Sequence, residues 1–268
     1  MTKRSDDPEF IEAIARGIDV LCSFTPYDPP LTLSQIAQRT GLARPTVRRI
    51  LLTLEELGYL SIQEGRFALT ARVLDLGYAY VHSKGSWEMV RPHLERLAAT
   101  THQSCSIAQL DGSDIIYVAR AAVQKLVSLS VHIGTRFPAY ATSLGKVLLA
   151  DLPSNVLRSV LQTPSRSHVT ALWHLNYTEL ETELAAVRHQ GWALTDQQLA
   201  LGIRSIALPL RSSNGRAIAS INVNAAASEI EPETMILRYL PPLLEAQRLI
   251  EADLRRLNTI PVIDIVDL

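Results

Sequence analysis

The chain has 268 residues, enough for one large domain or for two ordinary ones with separate cores. It is 47% apolar and 20% charged, which excludes a disordered or low-complexity protein. Its formal net charge of −1 excludes a global attraction to nucleic acid or acidic membranes, so any such binding must come from a local patch.

The first predicted element is a helix over about Pro8 to Phe24, where Phe10, Ile14, Ile18 and Leu21 recur at helical spacing. The run TPYDPP breaks it. A second helix over 31–40 starts at Thr32 or Leu33, buries Ile36 and Ala37 and stops at Gly41. In the third, Pro45 suits a first helical position, and Arg44 before it should sit just outside. Val47, Ile50, Leu51, Leu54 and Leu57 form one apolar stripe, and Gly58 ends the helix. YLSIQEGRFALT then reads as a small hairpin turning at Glu64-Gly65. Thr70 to His82 reads as a connecting helix, whose Val73, Leu74, Leu76, Tyr78 and Tyr80 serve either as plain core or as a dimer contact.

Beyond about residue 85 helices and strands mix. A helix from Trp87 to about Thr100 precedes strands over Ser104 to Leu110, Asp114 to Ala121 and Leu126 to Ile133. A helix over Ser143 to Asp151 follows, then one from Thr178 to Gly191 with a capping box at Thr178 and Glu181. Strands over Ile203 to Leu210 and Ala217 to Ala225 flank the turn SSNGR, and a last helix spans Pro242 to Leu257. The tail TIPVIDIVDL is extended in character, with no assigned role. The organisation expected is 1–69, a linker over 70–85, a larger domain over 86–257 and a tail over 258–268.

Between Pro29 and Leu54 stand four arginines and no acid, although residues 1–85 as a whole are balanced. Two helices joined by a short glycine turn, the second with an Arg-rich front end, form a helix-turn-helix pattern, and the hairpin makes it winged. A helix of this kind fits the major groove, where arginine pairs bidentately with guanine and smaller polar side chains read other edges. Arg44, Thr46, Arg48 and Arg49 are the expected contacts to bases and phosphates, supported by Ser34 and Gln35, with Arg66 as a wing residue. The bland alternative is a solvated basic helix face without a ligand.

ARGIDVLCSF, LTLSQIAQRTGLARPTVRRILLTLEELGYL and RFALTARVLDLGYAY resemble the IclR family of bacterial transcriptional regulators. So do IIYVARA, GTRFPAYATSLGKVLLA, VRHQGWALTDQQLALGIRSIALPLR and SINVNAAAS, so that the resemblance runs from about residue 9 to 257. The branch most similar controls aromatic-acid catabolism, through the protocatechuate, 4-hydroxybenzoate and β-ketoadipate regulators. The resemblance implies an α+β fold, with a winged helix-turn-helix joined by a linker helix to a GAF-like α/β effector-binding domain. It also implies a homodimer formed through the N-terminal region, or a tetramer of such pairs. In that branch acidic residues stand where this chain has Gln198 and Ala200, a departure that bears on the effector's identity.

Thr142 or Ser143 caps a helix whose first turn holds Leu144, Gly145 and Lys146, and such a helix start is a natural seat for a carboxylate. Ser220, Asn222 and Asn224 alternate with Ala219, Ile221 and Val223, giving a polar strand face that meets either water or a ligand. The resemblance places the family's effector pocket at Ser143, Leu144, Ser205, Asn222 and Asn224. Asp196 is a candidate further wall, and Arg120 and Arg136 are candidate counter-charges or else structural ion-pair residues. The implied effector is a small organic acid, aromatic or a pathway intermediate.

Three rivals compete with a regulator. Ser143-x-x-Lys146 matches a nucleophile pair for a hydrolase or transferase, but no companion motif accompanies it. His168 and His174 flank Trp173 without metal-ligand spacing, so no metal and no cofactor are expected. A sequence-neutral DNA packager would bind almost wholly by charge, which the net charge of −1 disfavours. Two distant cysteines, Cys22 and Cys105, and an N-terminus without a signal-peptide core fit a cytoplasmic protein with no membrane span. The expected partners are double-stranded operator DNA, an organic-acid effector, further copies of the chain and, for an activator, RNA polymerase.

Overall fold

The computed structural model describes residues 9–25, 28–76, 86–123, 131–167 and 169–257. The chain divides into two compact units, 1–83 and 84–268. The tail over 258–268, His168, the later part of the expected linker helix and most of the strand expected at Leu126 to Ile133 lie outside the described residues.

The first unit contains α1 (Glu12–Cys22), β1 (Leu31–Thr32), α2 (Leu33–Thr40), α3 (Arg44–Glu56), β2 (Leu60–Gln63) and β3 (Arg66–Leu69). Thr32 caps α2 through a capping box: its hydroxyl accepts from the Gln35 backbone N–H, while Gln35 Oε1 accepts from the Thr32 backbone N–H at 2.8 Å. Gly41 ends α2 at φ 68°, a left-handed conformation that costs glycine nothing. Extended Ala43 is the N-cap of α3, so Arg44 is the first helical residue and not the last residue outside. Proline is tolerated in that first turn because the N–H it lacks would have no intrahelical partner. Val47, Leu51 and Leu54 pack with Leu31, Ile36, Leu60 and Phe67, whereas Leu57 has already left the helix and stays exposed.

β2 and β3 turn through Glu64 at φ 51° and Gly65 at φ 72°, two consecutive left-handed residues suited to a tight hairpin. β1, too short to show any periodicity, adds an unforeseen third strand in the order β1-β3-β2. The chain then enters a 3-10 turn over Ala71–Val73, capped by the Thr70 hydroxyl. The stripe expected on α1 is not buried: Val20 alone is, while Ile11 and Ile14 are each 61% exposed and Phe10 and Ile18 are also open. An amphipathic pattern reports that a face wants burial, and among the described residues of this unit the core reaches Val20 and, in part, Leu21 and Phe24.

The second unit contains α4 (Ser86–Thr101), β4 (Ser104–Asp111), β5 (Asp114–Ala121), β6 (Arg136–Pro138), α5 (Ser143–Ala150), α6 (Ser154–Gln162), α7 (Tyr177–Gln190), β7 (Ala193–Asp196), β8 (Ile203–Arg211), β9 (Ala217–Ala226) and α8 (Pro232–Leu257). The strands form one antiparallel sheet in the order β6-β5-β4-β9-β8-β7. α5, α6 and α7 share a core with Ala108, Tyr117 and Ala207 on one face, and α4 and α8 cover the other.

Several boundaries differ from the sequence expectation. Residues 131–133 are not in a strand, and the edge strand is β6. Asn176, not Thr178, caps α7, its Oδ1 accepting from the N–H groups of Thr178 and Glu179. α8 starts at Pro232 and runs through Pro241 and Pro242, ten residues before the expected start. Met235, Tyr239, Leu243, Ala246, Ile250 and Leu254 are buried at three- and four-residue intervals across both prolines. Their combined burial outweighs a helix penalty of about 3 kcal/mol per interior proline.

All eight residues of α5 are buried. A Cβ on Gly145 would sit 2.1 Å from the Ala139 carbonyl oxygen, so only glycine lets α5 lie this close to the Ala139–Ala141 turn. That contact sets where the first turn of α5 meets the sheet.

Candidate functional site

The exposed face of α3 carries Arg44, Arg48, Arg49 and Leu52, with Thr46 half-buried beside them. Among the described residues no carboxylate pairs with Arg44, Arg48, Arg49 or Arg66, so their charge is open to an anion. Arg44 Nη2 donates to Ser34 Oγ at 2.5 Å, tying the start of α3 to the start of α2. Arg66 lies on the wing, with Nη1 donating to the Pro30 carbonyl at 3.3 Å.

Two residues of the basic window have other work. Gln35, expected to support the DNA contacts, spends its side-chain oxygen on the α2 capping box. Arg39 pairs with Asp28 and donates to the Ser23 carbonyl at 2.8 Å. The Arg39 guanidinium holds the Asp28 carboxyl well below the usual carboxylate range. Asp28 stands one position outside the acid-free window, so a linear charge count could not reveal the pairing.

In the second unit a cavity of about 720 Å³, counting its open mouth, lies between the sheet and the start of α5. Its polar wall comes from alternate residues of neighbouring strands: Ser104 faces Asn224 across β4 and β9, and Asn224 faces Ser205 across β9 and β8. The polar strand face is therefore largely withdrawn from bulk water: Ser220 and Asn222 are buried, and Asn224 is half-buried at the open cavity.

Arg120 reaches this wall because of a bulge. Ala108 pairs with Tyr117 while Ile107 pairs with Ala119, leaving Val118 as an extra residue in β5. That insertion puts Tyr117 and Arg120, three positions apart, on one face of the sheet, where regular alternation would separate them. Arg120 Nη1 donates to Ser106 Oγ at 3.1 Å, and burial pushes the guanidinium pKa down. No carboxylate pairs with it among the described residues.

A connected set of hydrogen bonds runs along this wall and ties it to the start of α5. Ser143 Oγ lies 2.6 Å from Ser205 Oγ. Asn222 Nδ2 donates to Ser205 Oγ at 2.9 Å and to Asn224 Oδ1 at 3.1 Å, while Asn222 Oδ1 accepts from the Ser106 N–H at 3.1 Å. Thr142 is the cap of α5, its Oγ1 accepting from the Gly145 N–H at 3.0 Å, which leaves Ser143 free to meet the sheet.

Five of the eight expected cavity residues thus come together: Ser143, Ser205, Asn222, Asn224 and Arg120. Leu144, Asp196 and Arg136 do not. The Leu144 side chain, 1% exposed, belongs to the core under the sheet. Asp196 follows cavity-lining Thr195 on β7, so alternation turns it to the other face, where it pairs with Arg204 at 2.7 Å. Arg136 lies on edge strand β6 and pairs with Asp111. Gln103, Tyr117, Thr195 and Leu199 also line the cavity and were not foreseen; the bulge that brings in Tyr117 leaves no trace in hydrophobic periodicity.

Ser143 and Lys146 do not form a nucleophile pair. Lys146 is wholly buried, its ammonium held by the Glu183 carboxylate and the Gln198 amide oxygen and lying 4.9 Å from the Trp173 ring centroid. Burial pushes its pKa down, against the opposing pull of Glu183. Ser143 has Ser205 as its side-chain hydrogen-bond partner instead, and a hydroxyl is not a general base. Among the described residues no group of His, Cys, Asp and Glu is arranged to hold a metal. No helix among them is long and apolar enough to cross a membrane.

Residues 13–63 match the family described as the IclR helix-turn-helix domain, and residues 78–252 match the bacterial transcriptional regulator IclR C-terminal family. The chain is 37% identical to the Pca regulon regulatory protein of Pseudomonas putida, over 90% of this chain and 84% of that protein. It is 34% identical to the p-hydroxybenzoate hydroxylase transcriptional activator of Acinetobacter baylyi, over 88% of this chain and 89% of that protein. Among solved structures, a doubly substituted PobR inducer-binding domain from Acinetobacter in complex with 3-hydroxybenzoic acid is 30% identical. It covers 62% of this chain and 97% of its own, with a TM-score of 0.55.

Proposed function

Because the chain belongs to the IclR family of bacterial transcriptional regulators, we propose that it controls genes of aromatic-acid catabolism in answer to a small organic acid bound in the second unit. The single observation that carries the choice of ligand is Arg120: a half-buried guanidinium without a carboxylate partner among the described residues, lining the cavity between the sheet and α5. A buried cation without a counter-charge is costly, and a ligand carboxylate removes that cost. Tyr117 and Leu199 offer surface for a ring, and the serine and asparagine wall offers partners for a ring hydroxyl. The likeness to a Pca regulon regulatory protein and to a p-hydroxybenzoate hydroxylase transcriptional activator supports the same class.

DNA would be held by Arg44, Thr46, Arg48 and Arg49 in the major groove, with Arg66 beside the flanking groove. Ser34 supports this set by fixing Arg44. The protein would work as a homodimer, or a tetramer of such pairs, in the cytoplasm. A two-fold pairing of the exposed Ile11, Ile14 and Ile18 faces gives the apolar stripe of α1 the burial it lacks within one chain. Effector binding would bias DNA binding through the segment that joins the units, with RNA polymerase as a further partner if the regulator activates.

Isothermal titration against hydroxybenzoates, protocatechuate and other small acids, run beside operator binding by fluorescence anisotropy, tests the proposal. Micromolar binding that shifts operator affinity is the expected result. Intact operator binding with no heat from any acid would overturn the effector assignment.

A further inference from the structure

Leu52 is the one large apolar side chain exposed on the face of α3 that carries the unpaired arginines, at 43% exposure. At 100° per residue it lies about 40° round the helix from Arg48 and about 60° from Arg49, one turn, or about 6 Å, further along than Arg48. The core stripe of Val47, Leu51 and Leu54 lies about 100–160° round the helix from it. Leu52 is therefore presented wherever Arg48 and Arg49 are presented.

Its neighbours define what it can meet. Thr53 donates its hydroxyl to the Arg49 carbonyl at 2.9 Å and so is turned back onto the helix. Glu55 and Glu56, both exposed, follow at the C-terminal end, where phosphates would repel them. The stretch able to lie in a groove thus runs from Arg44 to Leu52. It is cationic along its length and apolar at its last position.

A DNA groove presents one apolar group to such a position, the 5-methyl of thymine. Resting on the reading of α3 as the groove-entering helix, we propose that Leu52 is a specificity-determining residue that packs on a thymine methyl in each half-site. Guanidinium groups on either side fix the register, and leucine then favours thymine over cytosine at one position. Loss of that contact withdraws one methyl-sized apolar burial, worth about fourfold in affinity.

The test uses the full-length protein and its footprinted operator, with each thymine replaced in turn by deoxyuridine, which keeps pairing and removes only the methyl. One position per half-site is expected to lose about fourfold in wild-type affinity, and Leu52→Ala and Leu52→Gln are expected to be blind to that same change. Arg48→Ala should bind more weakly yet keep the methyl preference. If every thymine methyl has the same effect on wild type and on both Leu52 variants, the assignment is overturned. If the variants weaken all duplexes equally, Leu52 serves an interface between copies and not the groove, which also overturns it. Failure of the wild type to prefer any duplex would instead remove the reading of α3 itself.

Discussion

The side-chain oxygens of Ser143 and Ser205 lie 2.6 Å apart, which fastens the first turn of α5 to β8 at the wall of the cavity. Ser205 also accepts from Asn222, so one hydroxyl joins a helix to two strands. Ser205→Ala should leave a buried amide donor without that acceptor and lower unfolding free energy by about 1–3 kcal/mol. Adding Ser143→Ala should cost little more, because the two hydroxyls share one interaction. Urea unfolding of the two single variants and the double variant measures the coupling.

Arg120→Gln separates stability from binding. Removal of a half-buried charge with no carboxylate partner among the described residues should leave the ligand-free protein as stable or slightly more so. Effector affinity should fall by about 10- to 100-fold, the equivalent of one charge-assisted hydrogen bond. Thermal melts and titrations with hydroxybenzoate, alongside the corresponding neutral amide, check both halves. The amide should bind wild type about as weakly as the acid binds the variant.

Glu183→Gln should leave the Lys146 ammonium buried with neutral partners only. Breaking a buried pair costs about 3–5 kcal/mol, and because Glu183 is 31% exposed a loss of about 2–3 kcal/mol is expected at pH 7. The pH dependence has a definite sign. Burial lowers the folded-state pKa of Lys146 below its unfolded value, so between the two the unfolded chain binds more protons and stability rises with pH. The rise should be steeper in Glu183→Gln than in wild type, since Glu183 opposes the shift. Urea midpoints measured from pH 7 to 10 would show it.

Arg48→Ala and Arg49→Ala should each reduce the steepness of log K against log salt by about 0.9, together with any base-specific loss. Arg39→Ala should leave that slope unchanged and lower thermal stability instead, because Arg39 is occupied by Asp28 and the Ser23 carbonyl. An equal slope change for all three variants would mean that the four arginines act as one undivided patch.

Gly145→Ala puts a methyl group 2.1 Å from the Ala139 carbonyl oxygen, where backbone and not a flexible side-chain end must give way. A loss of at least about 1–3 kcal/mol is expected, the usual cost of overpacking. The displaced start of α5 should also weaken the effector, read as a higher Kd in the fraction that remains folded.

Local chemistry reaches a long way in this chain. The capping pair of Thr32 and Gln35, the left-handed glycine at 41 and the Glu64-Gly65 hairpin are each set by residues within four positions of one another. That is why the helix-turn-helix and its wing can be read from the linear order. The polar alternation of Ser220, Asn222 and Asn224 is equally visible, because a strand repeats every two residues.

Which side of that alternation is dry, and what shares it, depends on partners as far as 120 positions away, as Ser104 is from Asn224, and only the folded chain brings them together. The extra residue at Val118 carries Arg120 into the cavity, and strand parity on β7 turns Asp196 out of it. Arg39 loses its place among the free cations to an acid that enters from outside the basic window. α8 survives two prolines because its buried stripe is continuous on the sheet. Caps and turns are fixed by short-range hydrogen bonds and steric limits, which residue order specifies directly. The membership of a binding wall is fixed by register and packing between distant segments, and those energies exist only once the chain has folded.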